Sequence, residues 1–275
     1  MSDPFDIATT PPGVPEVPDV SGSSGASGVP DWLQPLSDAI DRVRPALTVA
    51  RPSTRDEVSG PGRPAGRAAA VLMLFGDDGA PPMAPANPAS GHVELPATGR
   101  VGVPSGADLL LLRRAGTLRS HSGQVAFPGG ATDPEDRDAV STALREAVEE
   151  TGLEADGVRV FATLDPIYIP PSGFDVTPVL GYWWRPSPVR AMDPGETETV
   201  VRVPLQELID PTNRFRVQHP LGYVGAAFEV GGMLVWGFTA GVISAVLDAA
   251  GWTIPWPTDD VRDLDQTLDR LAPGS

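Results

Sequence analysis

Gly129-Gly130-Ala131-Thr132-Asp133-Pro134-Glu135-Asp136-Arg137-Asp138, followed after six residues by Arg145-Glu146-Ala147-Val148-Glu149-Glu150-Thr151-Gly152-Leu153, is the stretch whose reading decides the fold. Val140, Leu144, Ala147, Val148 and Thr151 recur at i, i+4, i+7, i+8 and i+11, which predicts a helix burying one face. At about 100° per residue, Glu146, Glu149 and Glu150 fall within a polar fan of roughly 100°, with Arg145 beside it. Like charges at this spacing disfavour a helix by a few tenths of a kcal/mol, so the three carboxylates call for a partner. A hard divalent cation is one. Magnesium and manganese take carboxylate and water oxygens, and magnesium leaves positions for phosphate. Gly152 is predicted to stop the helix, where a left-handed backbone carries no side-chain penalty. A pair of glutamates on a helix is usually just solvated surface, so the weight rests on the spacing of the whole block.

That spacing resembles the box of the Nudix hydrolases. Arg145 to Leu153 matches its REUxEExGU half, where U is aliphatic. The first half departs from the general pattern, because Gly130 stands one residue too far from Arg145, as a one-residue insertion in the loop would place it. A subgroup has this longer loop. Leu110-Leu111-Leu112-Arg113-Arg114, then Leu118-Arg119-Ser120-His121-Ser122-Gly123-Gln124-Val125-Ala126-Phe127-Pro128-Gly129-Gly130, with Asp133 and Asp136, resemble the LLTxR…LRxHxGxVxFPGGxxDxxD pattern of the coenzyme A pyrophosphatase branch. Leu112 stands where that pattern has Thr. The likeness runs roughly from residue 65 to 250.

The resemblance implies an α/β fold, the Nudix-type α/β/α sandwich with a mixed β-sheet. It implies an enzyme that splits the pyrophosphate bond of coenzyme A or a derivative, giving 3′,5′-ADP and 4′-phosphopantetheine, with Mg2+ or Mn2+ as cofactor. It makes Glu146, Glu149 and Glu150 the metal-binding residues, with Glu146 also the base in some members. Arg145 orients a loop carboxylate, Asp136 or Glu135. Asp193-Pro194-Gly195-Glu196 resembles a later segment that supplies a further acid, here Glu196; the plainer alternative is a solvated turn acid beside Glu198. Arg114 and Arg119 are candidates for gripping the non-reacting phosphates by bidentate contacts, His121 for a phosphate contact, Gly130 for substrate binding and Phe174 for flanking a nucleobase. Other expectations are hydrolysis of NADH, ADP-ribose or a nucleoside triphosphate, or a nucleotide-sensing module without turnover.

Composition bounds this picture. A chain of 275 residues with 41% hydrophobic content buries a substantial core. It has no cysteine, hence neither disulfides nor a thiol nucleophile. The first residues lack the basic and apolar regions of a secretory signal, and no apolar run is long enough to span a bilayer, so a cytoplasmic protein with no membrane partner is expected. A net charge of -16 argues against nucleic acid, and it opposes an anionic substrate at long range unless local arginines and cations reverse the field.

Along the chain, residues 1–30 are Pro-, Gly- and Ser-rich and are predicted to be a disordered tail. Residues 31–66 are predicted to form a helical extension, with Leu33, Leu36, Ile40, Val43 and Leu47 in an apolar stripe. Residues 67–251 would be the Nudix domain, and 252–275 an amphipathic helix and tail with Val261, Leu264, Leu268 and Leu271 on one side. Strands are predicted at 68–75, 109–112, 158–164, 176–184 and 200–203, a short helix at 205–209, a hairpin about Gly231-Gly232, and a helix at 239–250. Residues 76–106 form a long Gly- and Pro-rich insertion that is either flexible or shapes the substrate entrance. The two striped helices would dock on the domain or on a second copy, the latter giving a homodimer.

Overall fold

Alternation along three apolar strands builds the centre of the protein. In the computed structural model, which describes residues 28–43, 66–77, 102–116, 123–169 and 172–272, β1 (Arg67–Asp77) runs parallel to β7 (Phe174–Trp183), with Met73 opposite Leu180. β2 (Ala107–Arg114) pairs antiparallel with the end of β1 and with β8 (Thr197–Pro204). Ala70, Leu72 and Leu74 of β1, Leu110 of β2, and Val179 and Trp183 of β7 face one side. Met73, Phe75, Leu109, Leu111 and Leu180 face the other. Both sides of the sheet are therefore apolar and both need a cover.

Helix α2 (Ala139–Thr151) covers the first side through Ala143 and Ala147. The second side is covered by α4 (Gly237–Ala249), whose Val242, Ile243 and Val246 share a core with the amino-terminal segment. That segment is a 3-10 turn over Asp31–Leu33 followed by α1 (Gln34–Ser37) and a helical turn at 40–43. Its Trp32, Leu33, Leu36 and Val43 are buried, and Trp32 lies edge-on to Phe75 with ring centroids 6.4 Å apart. The predicted stripe thus packs on its own chain; Leu47 lies outside the described residues, as do 78–101 of the insertion and the predicted tail up to 27.

β1 and β2 pair only over Phe75–Asp77 and then diverge. β3 (Val125–Ala126) and β4 (Gly129–Ala131) fill the gap, β3 pairing with β2 and β4 with β1. The Leu72 N–H donates to the Pro128 carbonyl at 2.8 Å between them. β5 (Val158–Thr163) and β6 (Ile167–Ile169) complete an eight-stranded mixed sheet on the far side of β7.

Beside the expected mixed sheet lies a second, four-stranded one of order β11-β10-β9-β12. β10 (Val224–Val230) and β11 (Met233–Val235) are the predicted hairpin, with φ of 55° and 73° at Gly231 and Gly232, which a two-residue turn of this hand requires. β9 (Arg214–Gln218) and β12 (Val261–Asp263) were not expected. Val261 is accordingly in a strand and exposed, and the terminal helix is shorter than predicted, α5 (Leu264–Leu271). α5 docks through Leu264 and Leu271 on Phe215, Val217, Ala227 and Leu234, while Leu268 of the predicted stripe is 38% exposed. The predicted short helix is α3 (Leu205–Ile209).

Candidate active site

The site lies where α2 crosses β4. Asp138 caps the helix: its carboxylate accepts from the Ser141 N–H at 2.8 Å, and the Ser141 hydroxyl accepts from the Asp138 N–H at 2.9 Å. The helix ends at Gly152, left-handed with φ 71° and ψ 17°, as the sequence predicts. Its rotation differs from the prediction. Val148 is 39% exposed, while Thr142, Ala143, Ala147 and Thr151 are buried. Alanines at the contact let the helix approach the sheet closely enough for Glu146 and Glu150 to reach β4, and this rotation turns Val148 outward.

Each of the two glycines of β4 meets one glutamate. The Gly129 N–H donates to Glu150 Oε2 at 2.9 Å. At Gly130 an added Cβ would lie 2.5 Å from the Glu146 carboxyl carbon, so only glycine leaves room for that carboxylate. Gly130 therefore acts first by admitting Glu146. Burial pushes the Glu150 carboxyl up to about 7, against the pull of the Gly129 N–H and the Arg114 charge, with Glu146 and Glu196 pushing the same way as burial. Burial also raises Glu146, partly offset by Arg145.

Arg145 holds the acidic loop. Its Nε and Nη2 donate to the two oxygens of Asp136 at 3.1 and 2.9 Å, and Nη2 also donates to the Ala131 carbonyl at 3.0 Å. Nη1 donates to Glu146 at 3.1 Å and Glu149 at 3.2 Å. Asp136 accepts further from the Asp133 N–H and the Thr142 hydroxyl, each at 2.9 Å. The Arg145 bidentate bond holds the Asp136 carboxyl far below its usual range. The loop carboxylate is thus Asp136, and Glu135 is exposed.

Glu196 follows a tight turn in which its N–H and that of Thr197 both donate to the Asp193 carbonyl. Its own carbonyl accepts from the Ala115 N–H at 2.8 Å, which sets it beside Arg114 at the end of β2, within electrostatic reach of Glu150. Arg114 also acts on Glu150, and its Nε is buried with no hydrogen-bond partner among the described residues. The structure therefore gathers Glu146, Glu150, Glu196, Arg114, Arg145 and Gly130. It does not gather Phe174, which alternation places on the α4 side of the sheet with the Arg67 guanidinium 4.2 Å from its ring centre. Arg119 and His121 lie outside the described residues. No three acidic or histidine side chains among the described residues are drawn together tightly enough to hold an ion, and Arg145 bonds Glu149 and one oxygen of Glu146. The donor set still suits a hard cation: two carboxylates shielded from water, both raised by burial, lack the positive charge that would balance them.

A NUDIX domain model matches residues 96–221. A protein of Photorhabdus laumondii named as an uncharacterized Nudix hydrolase NudL is 38% identical over 142 residues, covering 49% of this chain and 73% of the relative. This chain belongs to the Nudix hydrolases. A second protein of that name, from Cronobacter sakazakii, is 40% identical over 142 residues, with 49% of this chain and 71% of the relative covered. Among solved structures, the Nudix hydrolase RenU of M. smegmatis aligns at 20% identity over 69% of this chain and 88% of its own, with a TM-score of 0.42. Nudix hydrolases generally use divalent metal ions. No helix among the described residues is long and apolar enough to cross a membrane.

Proposed function

We propose that the protein hydrolyses the pyrophosphate bond of coenzyme A or one of its derivatives, releasing 3′,5′-ADP and 4′-phosphopantetheine. The observation that carries a phosphate reaction is the pairing of two shielded carboxylates, Glu146 and Glu150, with Arg114 beside them, its buried Nε without a hydrogen-bond partner among the described residues. The narrower choice of coenzyme A rests on the motif from Leu110 through Gly130 to Asp136.

A pyrophosphate resists attack because its charged oxygens repel the nucleophile, so catalysis is charge neutralisation plus placement of a water in line with the leaving oxygen. Glu146, Glu149 and Glu150 would hold Mg2+ or Mn2+, which would supply that neutralisation and acidify the attacking water. Arg114 donates to an oxygen of the non-reacting phosphate. Glu196, exposed at the rim facing Glu150, takes the proton of the water. Arg145 fixes the loop through Asp136, so that Glu146 stays over Gly130.

The test is incubation of the purified protein with coenzyme A and Mg2+ or Mn2+ in ¹⁸O-labelled water, with mass spectrometry of the products. Label in either 3′,5′-ADP or 4′-phosphopantetheine, and its loss in Glu150→Gln, is expected. Intact coenzyme A beside rapid cleavage of NADH, ADP-ribose or a nucleoside triphosphate overturns the choice of substrate. Tight binding of a nucleotide with no turnover of any of these makes the protein a sensor.

A further inference from the structure

We propose that Asp193 is a positioning residue for the hydrolysis: it closes the turn that aims Glu196 at Glu150, and the chain before it ties that turn to the carboxyl end of α2. This rests on the reading of Glu196 as the group that takes the proton of the attacking water.

The last carbonyls of a helix have no partner within it. At the end of α2 one strap of chain takes two of them. The Arg190 N–H donates to the Thr151 carbonyl at 2.9 Å, and the Met192 N–H to the Glu150 carbonyl at 3.1 Å. The strap is pinned upstream as well, because Ser187 Oγ accepts from the Glu154 N–H at 3.1 Å and Val189 packs against the core that α2 covers. Met192 lies against Gly152, its sulfur 2.9 Å from where a Cβ of that residue would stand. Glu150 is thus held at its backbone by the segment that presents Glu196 a few residues later.

The turn between them is Asp193-Pro194-Gly195-Glu196. Proline pre-sets φ at the second position of such a turn, and an aspartate at the first offers its side chain to the backbone two residues on. The structure uses both acceptors of Asp193. Its Oδ1 accepts from the Gly195 N–H at 2.7 Å, and its carbonyl accepts from the N–H groups of Glu196 and Thr197 at 3.1 and 2.8 Å. Asp193 is itself exposed, so its side chain shapes the turn and fills no core. Thr197 is buried where the turn enters β8.

The register of β8 sets how far along the site the turn reaches. Arg113 of β2 lies opposite Thr199 and Arg114 opposite Thr197, which leaves Glu198 as the extra residue of a bulge. A bulge re-aims the residues around it and is common beside active sites. Here it draws Glu196 one residue back along β2, level with Ala115, whose N–H its carbonyl accepts at 2.8 Å. Glu198 turns instead to Arg113, with 3.5 Å between Oε2 and Nε. Strap, turn and bulge therefore converge on Glu196, and Asp193 Oδ1 supplies the side-chain bond of the turn.

The experiment measures kcat and KM for coenzyme A with Mg2+, or for ADP-ribose should coenzyme A stay intact, together with thermal melts and amide hydrogen exchange. The proteins are wild type, Asp193→Ala, Asp193→Asn, Glu196→Gln and the double variant Asp193→Ala/Glu196→Gln. Asp193→Ala should lower kcat about tenfold or more with KM within about twofold, since a displaced base weakens the transition state and not the binding of substrate. Asp193→Asn keeps the Oδ1 acceptor and should return kcat to within about threefold of wild type. In the Glu196→Gln background, Asp193→Ala should change kcat by less than about twofold, because the two residues act through one group. Unchanged kcat in Asp193→Ala, no recovery in Asp193→Asn, or an equal loss in both backgrounds overturns the proposal. Should wild type cleave neither substrate, amide exchange decides. Faster exchange at Glu196 and Thr197 in Asp193→Ala than in Asp193→Asn then upholds the turn's hold on Glu196 while the proposed hydrolysis falls, and equal exchange overturns that hold.

Discussion

Replacing Asp136 with Asn keeps the shape of the side chain and removes the charge that Arg145 grips. Asp136 accepts two bonds from Arg145, one from the Asp133 N–H and one from the Thr142 hydroxyl, and its side chain is 6% exposed. Breaking a buried ion pair costs about 3–5 kcal/mol where the surviving partner is left uncompensated. Arg145 is not, since it is 25% exposed and keeps Glu146, Glu149 and the Ala131 carbonyl. The loss should be about 2 kcal/mol, in the range for charge-assisted hydrogen bonds, which for a chain of this size lowers Tm by about 4–8 °C. The sign with pH follows from the depressed carboxyl. Its stabilisation is fully present above the unfolded value near 3.9 and is lost as pH falls through the folded value, so the gap between wild type and variant should be constant from pH 5 to 8 and close below about pH 4. The freed side of the guanidinium should then turn toward Glu146 and Glu149, and the Mg2+ needed for half-maximal activity should rise more than tenfold. Glu135→Ala, one residue away and exposed, should stay within about 0.5 kcal/mol of wild type. Thermal melts and Mg2+ titrations of the three proteins check this. An Asp136→Asn melt within 1 °C of wild type, or a gap that persists unchanged to pH 3, refutes the reasoning.

In metal-free protein, Glu150 stays protonated in the folded state between about pH 4.5 and 7 while the unfolded chain ionises, so stability should fall as pH rises through that window, by at most about 3 kcal/mol; urea unfolding in EDTA at pH 5 and 7.5 should show this slope in wild type and not in Glu150→Gln. Gly129→Ala puts a Cβ 2.6 Å from the Val71 Cα, a backbone atom that cannot yield, and should cost more than about 3 kcal/mol. Gly130→Ala meets only the movable end of Glu146, so melts should shift little while activity falls at least tenfold. Leu36→Ala should cost about 2–5 kcal/mol, because Leu36 is fully buried in the core under α4; no change in the melt would mean that the amino-terminal segment is a loose appendage.

The central layers were legible because their signals are local. β1, β2 and β7 are apolar runs long enough to be read as strands, and Gly231-Gly232 announces its hairpin. β3 and β4 were not, since two and three residues rich in Gly and flanking Pro acquire strand geometry only from the diverging edges of β1 and β2. β9 hid behind its arginines. Arg214 and Arg216 alternate with Phe215 and Val217, and an arginine facing a core is a poor strand signal. The structure makes Arg214 tolerable by contacts from distant elements: its Nη2 donates to Ser244 of α4 at 2.6 Å, Asp248 lies 3.7 Å away, and the Trp256 ring centre is 4.4 Å from its guanidinium carbon. The carboxylates of the site were legible as a set, whereas the rotation of α2 was not, because it is decided by which side of the helix the two glycines of β4 can accept.

The loop between Gly130 and Arg145 is tied down by its own carboxylates. Asp133 and Asp136 close a turn on themselves, the Asp136 N–H donating to the Asp133 carbonyl at 3.0 Å and the Asp133 N–H to the Asp136 carboxylate at 2.9 Å. Asp136 stands six residues after Gly130 and nine before Arg145, and its carboxylate meets the Arg145 guanidinium. One guanidinium then faces Asp133, Asp136, Glu146 and Glu149 together. A single cation cannot balance four carboxylates, and the shortfall is greatest for those shielded from water. Where it falls is set by geometry: Asp136 receives both arms of the fork, Glu146 receives one bond, and Glu150, on the far side of Glu146, receives none of it. The direction of the carboxyl shifts follows that order, down at Asp136 and up at Glu146 and Glu150. The loop with Arg145 is thereby rigid and charge-satisfied, while the pair over Gly129-Gly130 is left with the unbalanced charge that a divalent cation and the phosphates it accompanies would complete.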